Sequence, residues 1–150
     1  MADVTIPCTA VSRIITNLRA PGAPAETYRT RFEAIASGVP AFNVFPRKWD
    51  VRNQDAAHDA TELDVDVVIR VYSASTQDAD VALDPLILWA WRRVRADANL
   101  GGIAKDVYLD NIEIGYVDKD ATDQVCADIT IRVEMNVSRD DPRVNKFSAA

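Results

Sequence analysis

Apolar and polar residues alternate most strictly near the end of the chain. Val125, Ala127, Ile129, Ile131, Val133, Met135 and Val137 interleave with Cys126, Asp128, Thr130, Arg132, Glu134 and Asn136. A period of two sends successive side chains to opposite faces, so this segment predicts a long strand with one face in a core. The same period runs from Leu63 to Tyr72, with Asp64 and Asp66 on the outer parity. Between Val107 and Tyr116 the parity switches: Val107 and Leu109 share one face, while Ile112 and Ile114 need an extra residue near Asp110-Asn111 to rejoin it. A β-bulge there is expected. Val39 to Phe45 reads as a short strand closed by Pro46.

Helical spacing appears in three places. Cys8, Val11, Ile15 and Leu18 form one stripe, with Thr5 as N-cap, Pro7 in the first turn and Ala20 to Pro24 as the stop. A weaker pattern from Ala25 to Ser37 aligns Tyr28, Phe32 and Ile35, with an Arg29/Glu33 pair and Gly38 as its cap. The third helix starts at Asp84-Pro85 or a turn earlier and buries Leu83, Ile87, Ala90 and Val94, widened by Leu86, Trp89 and Trp91; Gly101-Gly102 ends it. Residues 47–61 carry no period and read as a long loop. The expectation is an α+β fold, a four-stranded, mostly antiparallel sheet with helices packed on one face, over residues 1–142, and a flexible tail over 143–150.

Composition narrows the function. The 150 residues, 48% hydrophobic and 27% charged, suit one globular domain. No apolar run approaches the roughly 20 residues a membrane span needs, and no basic start precedes an apolar stretch, which predicts synthesis in the cytoplasm and no membrane partner. Cys8 and Cys126 are far apart and outside any Cys-x-x-Cys pair, so neither a metal knuckle nor a disulfide framework is expected. A net charge of -6 disfavours a duplex-binding module.

Candidate chemistry is sparse. His58, the only histidine, sits among polar residues and reads as a solvated loop side chain. No Gly-x-Ser-x-Gly elbow occurs, and Gly101-Gly102 follows a helix where a phosphate loop would open one. Asp64 and Asp66 share a strand face as metal-binding carboxylates can, yet alternation alone puts them there. Arg92, Arg93 and Arg95 suit either the negative end of a helix dipole or an interface rich in carboxylates. Cys126 reads as an inert sheet residue. No catalytic residue, cofactor or metal ligand is assigned, and the chain is not expected to be an enzyme.

One combination of residues is distinctive. The Asp84-Pro85 helix start, the segment Leu100-Gly101-Gly102-Ile103-Ala104-Lys105-Asp106-Val107, and the long final strand closing in Ser138-Arg139-Asp140-Asp141-Pro142 resemble the tail terminator, or tail completion, proteins of tailed bacteriophages. The N-terminal helix and Gly38 to Val44 agree loosely with the same pattern. The resemblance implies a structural virion protein, made in the host cytoplasm and located at the tail or neck. It implies a homohexameric ring of roughly 100 kDa under cyclic symmetry. Such a ring caps the tail tube, ends its polymerisation and meets the head-completion or neck proteins; the tube protein and the sheath protein are the partners below it. Interface residues on this reading are Arg92, Arg93, Arg95, Asp64, Asp66, Arg132 and Glu134. Passing DNA would meet an acidic lumen without specific binding, with Asp50, Asp55 and Asp59 or Asp118, Asp120 and Asp123 as its lining. The alternatives are another neck or tail component, such as a head-tail connector or tube-like subunit, and a small enzyme or ligand-binding domain.

Overall fold

Two helices lie on one face of a five-stranded mixed sheet in the computed structural model, which describes residues 4–31, 40–55, 59–73, 78–116 and 125–146, with the backbone alone at 53–55, 79 and 116. The order is α1 (Ile6–Leu18), β1 (Glu26–Arg29), β2 (Ala41–Asp55), β3 (Ala60–Tyr72), α2 (Ala79–Ala96), a short 3-10 helix (Leu100–Gly102), β4 (Asp106–Tyr116) and β5 (Val125–Ser138). Across the sheet the strands run β1-β2-β3-β5-β4, antiparallel except for the parallel pair β1/β2.

The inward parity of the two long central strands forms the core. Leu63, Val65, Val67, Ile69 and Val71 of β3 meet Ala127, Ile129, Ile131, Val133, Met135 and Val137 of β5 beneath the helices. Thr5 caps α1 by accepting from the Cys8 N–H, and Ala10, Val11, Ile14, Ile15 and Leu18 are buried. Cys8, placed on that stripe by spacing, is exposed, and Arg29 Nη2 reaches its Sγ at 3.0 Å. On α2 the buried positions are Leu83, Leu86, Ala90 and Val94; Ile87 and Trp89 are partly buried, and Trp91 faces solvent. The register of β4 shifts between Leu109 and Asn111, which returns Ile112 to the inner face as the parity required.

Four expectations need correction. The sheet has five strands, because Glu26–Arg29, expected in a weak helix, pair with Ala41–Val44. Thr27 and Tyr28 favour a strand, and an open sheet edge outweighs a marginal helical period; Phe32, Glu33, Ile35 and Gly38 lie outside the described residues. The expected 47–61 loop is mostly strand, since β2 continues through Pro46 to Asp55. Past Val44 no strand among the described residues covers β2, so an open edge tolerates the proline, and the register shift between Pro46 and Lys48 absorbs it. Helix α2 begins at Ala79, over a turn before Asp84, after Asp78 in the left-handed region (φ 48°). Residues 143–146, expected within a flexible tail, turn back onto β5: Ser138 N–H donates to Val144 O and Lys146 N–H to Asn136 O.

Candidate assembly surfaces

The sheet face opposite the helices carries the outward parity of β2 to β5 in cross-strand rows. One row is wholly acidic: Asp50 is the register partner of Asp64, Asp64 of Glu134, and Glu134 of Asp106. Like charges directly opposite repel. Basic groups from beside the row offset this, with Arg52 Nη1 3.0 Å from Asp64, Lys48 Nζ 3.4 Å from Asp50, and Arg95 Nη1 3.1 Å from Asp106. The next row runs Lys48, Asp66, Arg132 and Tyr108, and Arg132 Nε lies 3.1 Å from Asp66. Farther along, Arg70 grips Asp128 through two bonds of 2.7 and 2.9 Å. These carboxylates hold both guanidinium groups, Arg70 and Arg132, charged well above the ordinary arginine range.

Asp64, Asp66, Arg132 and Glu134 therefore share the sheet face opposite the helices, as their parity required, but Asp64 and Asp66, expected at the surface, are buried among their neighbours at 5% exposure each. Asp50 joins them instead of standing in a separate loop. Asp55 ends β2, where only the backbone is described, and Asp59 opens the return strand, 3.8 Å from Arg139 and accepting from the Ser138 hydroxyl. Asp118, Asp120, Asp123 and His58 lie outside the described residues.

The three arginines of α2 do different work. Arg93 Nε donates to Asn17 O and its guanidinium stacks over Trp89, whose indole N–H reaches Leu18 O, so these side chains join α2 to α1. Arg95 bonds Asp106 and the carbonyl of Val107, which ties α2 to β4. Arg92 alone of the three is exposed without an ion pair among the described residues. A second clip was not foreseen: Asp97, just past α2, accepts from Arg13 Nε at 2.6 Å and from Asn17 Nδ2 at 2.8 Å. Arg13 holds the Asp97 carboxyl below its ordinary range, and Asn17 adds to the effect. Spacing alone carried no sign of this pair.

Among the described residues no strand pairs with β2 past Val44 or with the outer edge of β4. Beyond Val44 the free edge of β2 displays Arg47, Lys48 and Arg52, with Trp49 and Val51 also exposed; β4, the other margin, displays Asp110 and Glu113. One margin is mainly basic and the other acidic.

A hollow of about 320 Å³ lies at one end of the open face, lined by Thr30, Arg31, Asn43, Phe45, Pro46 and Arg70. Two of its polar side chains are committed within the protein: the Asn43 amide pairs with the backbone N–H and carbonyl of Arg31, and Arg70 is held by Asp128. Among the described residues no group of histidine, cysteine and carboxylate side chains has metal-binding geometry. Burial pushes the Cys126 thiol up, away from a reactive thiolate. No described helix is long and apolar enough to cross a membrane. No protein-family model matches the chain, and the curated proteins contain no match to it.

Proposed function

We propose that the chain is a structural subunit of a phage tail, a terminator that closes into a six-membered ring on the end of the tube, stops its growth and offers a face to the neck or head-completion proteins. The observation that carries this reading is the pair of open sheet margins with opposite charge, basic on β2 and acidic on β4. A head-to-tail contact uses two different patches on each subunit, and repetition around an axis closes a ring when the rotation divides the circle. Complementary charges steer such a contact and suppress the wrong pairing of like margins. On this reading the chain binds by surface, with no catalytic role.

Negative-stain imaging of the purified protein, alone and added to tail tubes, tests the proposal. Six-fold rings, or tubes capped at one end, are the expected images. Long tubes of the protein itself would favour the tube-like alternative, and particles with neither ring nor cap would overturn the reading. Asp110→Lys with Glu113→Lys should abolish the rings, and adding Arg47→Glu with Lys48→Glu should restore them.

A further inference from the structure

The outer face of α2 has no partner among the described residues and carries a pattern that its own reversal reproduces. Val81 is 63% exposed, Leu88 47% and Trp91 47%. They lie opposite the buried Leu83, Leu86, Ala90 and Val94, so the apolar surface there is not spill-over from the core. Pro85 is exposed between them, and Asp84 and Arg92 flank Leu88 by one turn on each side. Asp84, Leu88 and Arg92 thus occupy one i±4 ridge in the order acid, apolar, base. Neither Asp84 nor Arg92 forms an ion pair among the described residues, although Arg93 and Arg95 beside them are committed within the chain.

We infer that this face of α2 binds a second copy of the chain, helix antiparallel to helix, with Leu88 on the two-fold axis. A two-fold contact needs a patch complementary to itself. Reversing α2 about Leu88 brings Asp84 opposite the partner subunit's Arg92, and Arg92 opposite the partner subunit's Asp84. Trp91 meets the partner's Pro85, and the reverse, while Leu88 meets its own copy. A parallel arrangement would instead oppose Asp84 to the partner's Asp84 and Arg92 to the partner's Arg92. Charge order thus selects the antiparallel pair, and it selects this chain as occupant, because an unrelated helix would have to carry the same residues in the same order. The contact uses neither margin of the sheet, so it stands independently of the ring; two rings joined back to back would satisfy both.

Light scattering on the eluting full-length protein at micromolar concentration should show an even number of copies. Asp84→Arg, at an exposed position, should weaken the two-fold association by about tenfold or more, and so should Arg92→Asp. The swap Asp84→Arg with Arg92→Asp should return it close to the original affinity. Leu88→Cys, in a Cys8→Ser background, should cross-link into a covalent dimer under mild oxidation, since a disulfide between identical positions forms only near a two-fold axis. A monomer at all concentrations, an assembly indifferent to Asp84→Arg, or failure of the swap to restore association would each overturn the inference. A ring of six whose mass ignores these substitutions sinks this contact and leaves the ring; a dimer without rings does the reverse.

Discussion

The Asp66 carboxylate lies 3.1 Å from Nε of Arg132, a residue 66 positions later in the chain, and the Asp66 side chain is only 7% exposed on the face opposite the two described helices.

Breaking that pair asymmetrically should be costly. Arg132→Met leaves a buried carboxylate without its cation and should destabilise the fold by about 2 to 3 kcal/mol, somewhat under the full cost for a fully buried pair because Arg132 stays 27% exposed. Adding Asp66→Asn should recover most of the loss. Urea unfolding of the single and double variants measures both, and equal stability in the two would deny the coupling.

The Arg13/Asp97 clip predicts an acid response. The carboxyl of Asp97 is depressed in the folded state, so its contribution is complete above the unfolded carboxylate pKa, near 4, and is lost as pH falls through the lower folded value. Because Arg13 is 46% exposed, the clip is worth only about 1 kcal/mol. Asp97→Asn should lower the melting temperature at pH 7 and make the curve below about pH 4 shallower than in the parent. Parallel acid arms would show that Asp97 adds nothing.

Gly101 tests the same clip from the backbone side. Its φ is +69°, and a Cβ there would stand 2.7 Å from Nη1 of Arg13. Gly101→Ala therefore strains the backbone and displaces the guanidinium, for a combined loss of about 1 to 2 kcal/mol. The variant should also lose the acid-sensitive part of its stability; a loss of stability that leaves the acid response whole would mean that Arg13 simply moves aside.

DNA should pass the protein unbound. With a net charge of -6 and a wholly acidic row on the open face, the isolated protein should not retard duplex DNA in a gel-shift assay at physiological salt. Salt-dependent binding under those conditions would contradict an acidic, non-retaining passage.

Strands buried on one face were legible from the sequence, because alternation in β3 and β5 follows directly from one dry and one wet face, and even the β4 bulge showed as a break in parity. The second half of β2 was not. Its Lys48 to Arg52 alternation places Trp49 and Val51 beyond the cover of the helices, so both faces are wet and the pattern resembles a loop. Four-residue β1 exists only because the β2 edge is there to receive it. On the candidate surfaces, parity brought Asp64, Asp66, Arg132 and Glu134 together correctly. It could not reveal that Arg93 bonds α1 and Arg95 bonds β4, since partner choice depends on elements distant in sequence.

The strand order has a kinetic consequence. β2 with β3 and β4 with β5 are hairpins formed from neighbouring sequence, but the central seam joins β3 to β5, where Arg70 and Asp128 meet across 58 positions. Closing that long loop is entropically unfavourable before the Val, Ile and Leu residues of the seam can reward it, so folding speed is set by the docking of two hairpins. Substitutions along the seam, such as Ile69→Val or Ile129→Val, should slow refolding more than matched changes on α1, and until the seam closes each hairpin exposes an unpaired apolar edge to other chains.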